Sequence, residues 1–137
     1  MINNYNTAQF FFVLRKYKDT MKYLKLVGSD LEFRKNAYFW TYKFQKISMQ
    51  QLRTLHCEYI NYNRESLVTL LNTCCNTIQE VKLKRNTKIH ILDVAALQSL
   101  ETLPELRMLT IKPARFVNTS SMLALLKRVP ALENLFS

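Results

Sequence analysis

A six-residue pattern recurs along this chain and constrains its fold more than any other feature of the sequence. In residues 78–83, Ile-Gln-Glu-Val-Lys-Leu, the first, fourth and sixth residues are apolar and the others are polar. Copies begin at positions 21, 52, 78, 106 and 132, so the steps between them are 31, 26, 28 and 26 residues. The apolar positions of the other copies are Met21, Leu24 and Leu26, then Leu52, Leu55 and Cys57, then Leu106, Leu109 and Ile111, and finally Leu132 and Leu135 with Ser137. This spacing indicates an internal repeat.

The residues between the copies carry the periodicity of amphipathic helices. In residues 64–75 the apolar side chains recur at i, i+3, i+4 and i+7, at Leu67, Leu70, Leu71 and Cys74. Helices are also predicted over residues 7–19, from a cap at Asp93 to Pro104, and from caps at Thr119 and Ser120 to Pro130. The side chains predicted to face the core are Phe10, Val13, Leu14 and Tyr17 in the first helix, Val94, Leu97 and Leu100 in the third, and Met122, Leu125, Leu126 and Val129 in the last.

Residues 34–51 do not follow this pattern. They form most of the longest interval and are dense in aromatic residues. Alternation of Tyr38, Trp40, Tyr42 and Phe44 would suit a strand, whereas Phe44, Ile47 and Met49 would suit a distorted helix. The segment is therefore interpreted as an insertion on the helix side or as an additional strand, and both interpretations stay open.

A single strand and helix cannot bury their apolar faces alone, but stacked copies can form one continuous core. We therefore predict an α/β fold with one domain over residues 1–137 and parallel strand units near 21–26, 52–57, 78–83, 106–111 and 132–137. An ordinary doubly wound α/β domain is the alternative. Its strands would be continuous apolar runs, whereas polar residues such as Gln79, Lys82 and Arg107 interrupt these strands and favour the repeat.

The junctions between helices and strands add a second signature. Pro130 in residues 125–135 and Pro104 in residues 103–106 both stand two positions before the first leucine of a strand unit. Residues 75–78 keep a cysteine before the strand but have Asn76 in place of the proline. This pattern resembles leucine-rich repeats of the ribonuclease-inhibitor-like and F-box types, over residues 52–137 and more loosely over 7–31.

The resemblance implies a short leucine-rich-repeat solenoid, with a parallel sheet on the concave face and helices on the convex face. It also implies a non-catalytic adaptor that binds a partner protein on the concave face. The chain departs from the family after the strands, where the usual Asn or Cys is present only as Asn86; the matching positions hold Ser29, Ile60 and Ala114. No recognisable F-box precedes the repeats, so a link to ubiquitin-ligase scaffolds is an analogy.

The composition bears on partners and location. Twenty Lys and Arg against ten Asp and Glu give a net charge of +10, which favours acidic proteins, nucleic acid or anionic lipid as partners. No apolar run reaches the roughly 18–20 residues that span a bilayer, and no secretory signal pattern opens the sequence. We therefore expect a cytoplasmic or nuclear protein without membrane contact, in which Cys57, Cys74 and Cys75 are reduced thiols.

Catalytic, metal and cofactor sites are not expected. His56 and Cys57 are neighbours in a strand and point to opposite faces, so they do not readily bind one ion. Cys74 and Cys75 lack the spacing of a zinc site, and one glycine in the chain excludes a glycine-rich phosphate loop. The carboxylates are scattered and the serines lack an activating motif, so we predict no enzyme and no cofactor.

The polar positions in and beside the strand units form the predicted partner-binding site. The side chains expected to share the concave face are Lys22, Tyr23, Lys25, Arg53, His56, Lys82, Lys84, Arg107, Met108 and Lys112. Basic groups about 4.8 Å apart on neighbouring strands repel unless a partner neutralises them. We therefore predict an acidic protein partner, with Tyr23, Met108 and Phe136 as apolar anchors. The alternative is that these lysines and arginines only keep an exposed sheet soluble.

Two further hypotheses concern the partner. RNA or DNA is the alternative ligand of the same face, because basic and aromatic residues together suit backbone contacts and base stacking. The sequence also stops inside the fifth strand unit, which predicts association through that edge strand with a second copy or a partner chain. A longer repeat protein, of which this chain is one piece, would have the same ending.

Overall fold

The computed structural model describes residues 7–27, 48–58, 64–84, 98–112 and 119–136. Three complete helices and five strands lie within these ranges. The helices are α1 (Thr7–Tyr17), α2 (Arg64–Thr73) and α3 (Thr119–Arg128), and the strands are β1 (Tyr23–Val27), β2 (Thr54–Glu58), β3 (Glu80–Lys84), β4 (Met108–Lys112) and β5 (Asn134–Phe136). Most of the aromatic segment 34–51, the predicted cap at Asp93 and the last residue, Ser137, lie outside the described residues.

The five strands form one parallel sheet in the order β1-β2-β3-β4-β5. The predicted α/β class and the parallel sheet are confirmed. Each strand begins two residues later than the predicted unit, because the first apolar residue of each copy belongs to a turn that precedes the strand. Equivalent positions of the six-residue pattern, which we call its letters, are aligned in register between neighbouring copies. The fourth letters therefore form one row across the sheet: Leu24, Leu55, Val81, Leu109 and Leu135.

The apolar letters of the pattern build the core. The fourth and sixth letters of the first four copies are buried, and so are the first letters Leu52, Ile78 and Leu106. Met21, Leu132 and Leu135 are partly buried and pack against the same cluster. Because side chains alternate along a strand, burying these letters leaves the intervening residues on the opposite face of the sheet.

The same turn leads into several of the strands. The amide nitrogens of Leu52, Leu106 and Leu132 each donate a hydrogen bond to the carbonyl oxygen three residues earlier, at 3.2, 3.3 and 3.1 Å. Pro104 and Pro130 occupy the second position of their turns, where the fixed φ of proline is favourable. The first of these turns covers residues 49–52, so the end of the ambiguous segment 34–51 is neither strand nor helix.

Side-chain hydrogen bonds join consecutive copies on the helix side. The Thr77 hydroxyl donates to the carbonyl oxygen of Leu52 at 2.8 Å. The Asn72 side chain donates to the Ser99 carbonyl at 2.9 Å and accepts from the Glu101 amide at 2.8 Å. The Thr77 contact joins the segments that lead into β2 and β3, and the Asn72 contacts join the end of α2 to the segment that precedes β4.

The burial of the helix faces follows the sequence prediction in α2 and departs from it in α1 and α3. The predicted core residues Leu67, Leu70 and Leu71 of α2 are buried, together with Val68 and with Cys74 just after the helix. In α1, however, Leu14 is buried but Val13 and Tyr17 are exposed, and the prediction that they face the core is wrong. This helix leads into β1, which pairs with one strand only in the described sheet.

In α3 the prediction is wrong for Leu126, which is 43% exposed, whereas Leu125 and Val129 are buried. Ser121 is buried in its place, one turn before Leu125. The buried residues of this helix therefore recur every four residues, which produces a stripe too narrow to include Leu126.

Candidate partner-binding face of the sheet

The face of the sheet opposite the core carries three rows of aligned side chains, which we call the polar sheet face. The first row is Tyr23, Thr54, Glu80, Met108 and Asn134; the second is Lys25, His56, Lys82 and Thr110; the third is Val27, Glu58, Lys84 and Lys112. The rows exist because all strands are parallel and share one register, so each copy contributes the same letters. In the second row Thr110 is buried, whereas Lys25 is exposed and His56 and Lys82 are half-buried.

Seven of the ten predicted binding residues lie on the polar sheet face. They are Tyr23, Lys25, His56, Lys82, Lys84, Met108 and Lys112. The other three predicted residues are exposed but each stands one residue before its strand, so they do not belong to any of the three rows: Lys22, Arg53 and Arg107. Their backbone carbonyl groups extend the hydrogen-bond ladder of the sheet. The Arg53 carbonyl oxygen, for example, accepts hydrogen bonds from the amides of Gln79 and Glu80. These three residues form the leading edge of the sheet and not its face.

A polar cluster occupies the centre of this face. The Nε2 atom of His56 lies 3.6 Å from Oε1 of Glu80, and the same oxygen lies 3.3 Å from Nζ of Lys82. The hydroxyl of Tyr23 lies 3.3 Å from Nδ1 of His56, and the two rings meet edge to face with centroids 5.4 Å apart. Three strands are therefore linked through one imidazole ring.

The surroundings of His56 favour its neutral form. Burial, first of all, lowers the pKa of His56 from its ordinary value, and Lys82 and Lys25 act in the same direction, while Glu80 opposes them. At 3.6 Å the contact with Glu80 is longer than a hydrogen bond, and the enclosed Nε2 has no hydrogen-bond partner within the part of the chain that the structure describes. A neutral ring with its proton on Nε2 fits this arrangement, since Nδ1 can then accept from the Tyr23 hydroxyl.

The carboxylates on the sheet change the predicted electrostatics. Glu80 partly neutralises Lys82 from within the protein, and Glu133 pairs with Arg107 at 3.0 Å on the leading edge. Surface ion pairs of this kind contribute little stability, but they reduce the repulsion that the sequence pattern predicts. No ion pair joins Lys25, Lys84 or Lys112 to another residue of the described ranges; Lys25 and Lys112 are exposed and Lys84 is half-buried.

A depression of about 220 Å³ lies on the polar sheet face over β1, β2 and β3. Its polar lining consists of Tyr23, Lys25, His56, Glu58, Lys82 and Lys84. Leu26 and Cys57 also line it; because their side chains are buried on the core side, their main chains form the floor. The predicted site contains all of the polar lining residues except Glu58. The sequence pattern places Glu58 and Glu80 on the same face, but the predicted site is restricted to basic and apolar side chains with His56, and it therefore leaves out both carboxylates.

The cysteines and other metal-binding residue types do not add a second site to the described part of the chain. Burial raises the pKa of the Cys57 thiol to about 12, and burial also raises the pKa of Cys74 to about 12. Both thiols are therefore protonated and pack as small apolar groups. Among the described residues no group of three or more His, Cys, Asp or Glu side chains is placed to hold a metal ion.

The helices in the described ranges are all too short or too polar to cross a lipid bilayer. No protein-family model matches the chain, and comparisons with curated proteins and with solved structures find no significant match.

Proposed function

We propose that this chain is a leucine-rich-repeat solenoid that acts, without catalysis, as a module for binding an acidic segment of a partner protein. The observation that carries the proposal is that Lys25 in the second row and Lys84 and Lys112 in the third row lie on the same face of a parallel sheet, each with at least part of its side chain accessible. We place the protein in the cytoplasm or nucleus, where its free cysteines would stay reduced.

The order of the strands supports a solenoid. A doubly wound sheet reverses its strand order at a switch point, whereas here every strand lies beside its neighbours in sequence. The recurring turn at residues 49–52, 103–106 and 129–132 supports the same conclusion, because equivalent backbone structure recurs in different copies.

The chemistry of the polar sheet face supports an extended acidic ligand. Lysine side chains on neighbouring strands can each reach a different carboxylate of a peptide that crosses the sheet. Tyr23, which is 55% exposed, and Met108, which is half-buried, add apolar contact surface near these charges. The ligand would then combine carboxylates with one or more apolar side chains.

Nucleic acid is the rival ligand of the same face. Glu58 and Glu80 interrupt the positive charge of the face, so a peptide with separated carboxylates can avoid them, whereas a phosphate backbone charged at every nucleotide cannot; Tyr23, in addition, is engaged edge to face with His56. Both features favour the protein partner. An oligonucleotide is nevertheless a necessary arm of the test, because its affinity should fall steeply and log-linearly with salt concentration.

The test compares two triple variants that change the net charge equally. The face variant replaces Lys25, Lys84 and Lys112 with Glu; the matched control replaces the exposed Arg15, Lys16 and Lys127 of the helices with Glu. Fluorescence anisotropy measures binding of an Asp- and Glu-rich peptide and of a single-stranded RNA. Circular dichroism checks that both variants remain folded.

We expect the face variant to bind the acidic peptide about tenfold or more weakly, since three favourable contacts become repulsive. The control should bind within about twofold of the original protein, because its charges lie away from the sheet face. Equal losses in the two variants would mean that net charge alone drives binding and would overturn the proposal. Tighter binding of the RNA than of the peptide would transfer the function to nucleic acid.

A further inference from the structure

The depression on the polar sheet face owes its shape to side-chain length. β2 contributes His56 and Glu58 at its centre, and the strands on either side contribute the longer side chains of Lys25, Lys82 and Lys84. Lys25 and Lys82 are both paired in register with His56. Since neighbouring strands are about 4.8 Å apart, these lysines start roughly 10 Å from each other, and both can extend over the imidazole ring.

The size of the depression limits what it can hold. Its volume of about 220 Å³ is below the roughly 300–1,000 Å³ of pockets that enclose whole small-molecule ligands. A single charged group at the end of a side chain is a better match. Three of its polar lining residues are lysines, which bind oxyanions as compact point charges.

We propose that this depression binds one phosphate monoester group, carried on a phosphorylated side chain of the acidic partner. The inference rests on the proposed function, because the peptide that carries the phosphate would lie along the polar sheet face. Lys25 and Lys82 would hold the group from opposite sides above His56, and Lys84 would hold it from farther along β3. A tetrahedral dianion has acceptor oxygens in three directions, whereas the two oxygens of a carboxylate share one plane.

The charges around the depression favour a dianion over a single negative charge. Lys82 already shares its charge with Glu80 at 3.3 Å, and the carboxylate of Glu58 also lines the depression. These two carboxylates weaken the attraction for any anion, but the three lysines outnumber them, so these five groups carry a net charge of +1. A phosphate, with a charge of about −1.5 to −2 at neutral pH, gains more from a net positive site than the single charge of Asp or Glu does.

The first test uses three acidic peptides that differ at one position, which is Ser, phosphoserine or Glu. Anisotropy measures their affinities for the original protein and for Lys25→Gln, Lys84→Gln and Lys112→Gln. Lys112 is the matched control because it follows Lys84 in the same row but does not line the depression. We expect the phosphopeptide to bind about tenfold tighter than the Ser peptide, which corresponds to about one strong charge-assisted contact.

The variants should separate the phosphate site from the rest of the face. Lys25→Gln and Lys84→Gln should each reduce the preference for phosphoserine to about threefold or less, whereas Lys112→Gln should weaken all three peptides alike and keep the preference. Equal binding of the Ser and phosphoserine peptides would overturn the phosphate site while leaving the acidic-partner function intact. A preference that all three variants reduce equally would also overturn it.

A second readout follows the imidazole of His56 by NMR. A dianion bound above the ring should raise the pKa of His56, and the Ser peptide should raise it less. Phenyl phosphate provides a probe that needs no peptide binding at all. If no acidic peptide binds, the proposed function is wrong. The phosphate site is then tested by phenyl phosphate alone, and an unchanged pKa of His56 at a high concentration of phenyl phosphate would overturn that site.

Discussion

The Nε2 atom of His56 on β2 lies 3.6 Å from Oε1 of Glu80 on β3 and, although it is enclosed, has no hydrogen-bond partner among the described residues. The other ring nitrogen is within reach of the Tyr23 hydroxyl on β1. Leaving a buried polar atom without a hydrogen bond costs free energy. The protonation state of this ring should therefore affect both the stability of the sheet and the charge that a ligand meets above it.

We expect the free energy of unfolding to fall as the pH drops below about 6.5. Burial holds the pKa of His56 below its ordinary value, so the unfolded chain takes up a proton that the folded chain does not. The stabilisation is complete above the unfolded-state pKa and is lost as the pH falls toward the folded-state pKa. Urea denaturation at a series of pH values from about 8 to about 5 measures this slope, above the range in which most carboxylates titrate.

The control for this prediction is His56→Gln, which removes the titrating ring. His90, the other histidine, is kept in both proteins, so the difference between their stability curves reports His56 alone. The variant should show a flatter pH dependence between about pH 6.5 and 5. Parallel curves for the two proteins would show that His56 has the same pKa in the folded and unfolded chains.

Glu80→Gln should lower the pKa of His56 further. The carboxylate of Glu80 opposes the effect of burial, so removing its charge leaves burial and the nearby lysines unopposed. NMR titration of the imidazole measures the shift directly. Glu133→Gln is the matched control, because it also removes a carboxylate from an ion pair, with Arg107, but at a distance from His56. The stability cost of either change should be less than about 1 kcal/mol, since both pairs are partly solvated. A rise in the pKa of His56 in Glu80→Gln would contradict this account.

The strand residues of the core could be predicted from the sequence, because the face to which each of them points depends on periodicity alone. Leu55, Val81 and Leu109 stand at the same letter of successive copies, and a period of two fixes the face to which each side chain points. The width of a helix face depends instead on what packs against it. Spacing in α1 cannot distinguish Leu14, which is fully buried, from Tyr17, which is exposed.

The candidate site could be predicted only in part for a related reason. The pattern identifies Lys25, His56 and Lys82 as outward-facing letters, and the register places them side by side. Glu80 contacts His56 diagonally across two strands and contacts Lys82 along its own strand. Whether these contacts form depends on side-chain conformations, which the sequence pattern does not give. The sequence alone therefore overestimates the uncompensated positive charge of the face.

Thr77→Val should destabilise the protein by about 1–2 kcal/mol, the usual cost of removing a hydrogen bond to a group that stays partly buried. The Thr77 hydroxyl lies within 2.8 Å of the Leu52 carbonyl oxygen and within 3.1 Å of that of Gln50, so its loss weakens the link between two copies. Valine keeps the shape of the side chain. Chemical denaturation measures the change, and Thr102→Val at an exposed position should change stability by less than about 0.5 kcal/mol. Equal effects of the two substitutions would show that the inter-copy bond contributes nothing.

The three cysteines should differ sharply in their reactivity toward a thiol reagent. Cys57 and Cys74 are buried, and burial raises the pKa of each to about 12, so almost no thiolate is available to react. Cys75 follows Cys74 directly but is only half-buried, and it is therefore the cysteine that we expect a reagent to reach in the folded protein. Titration with a disulfide reagent under native conditions should therefore show one fast thiol and two that react only on unfolding. In Cys75→Ser the fast phase should disappear while the two slow thiols remain. A fast phase that persists in this variant would mean that Cys57 or Cys74 is reached without unfolding, and that the core around β2 and α2 opens more readily than its burial indicates.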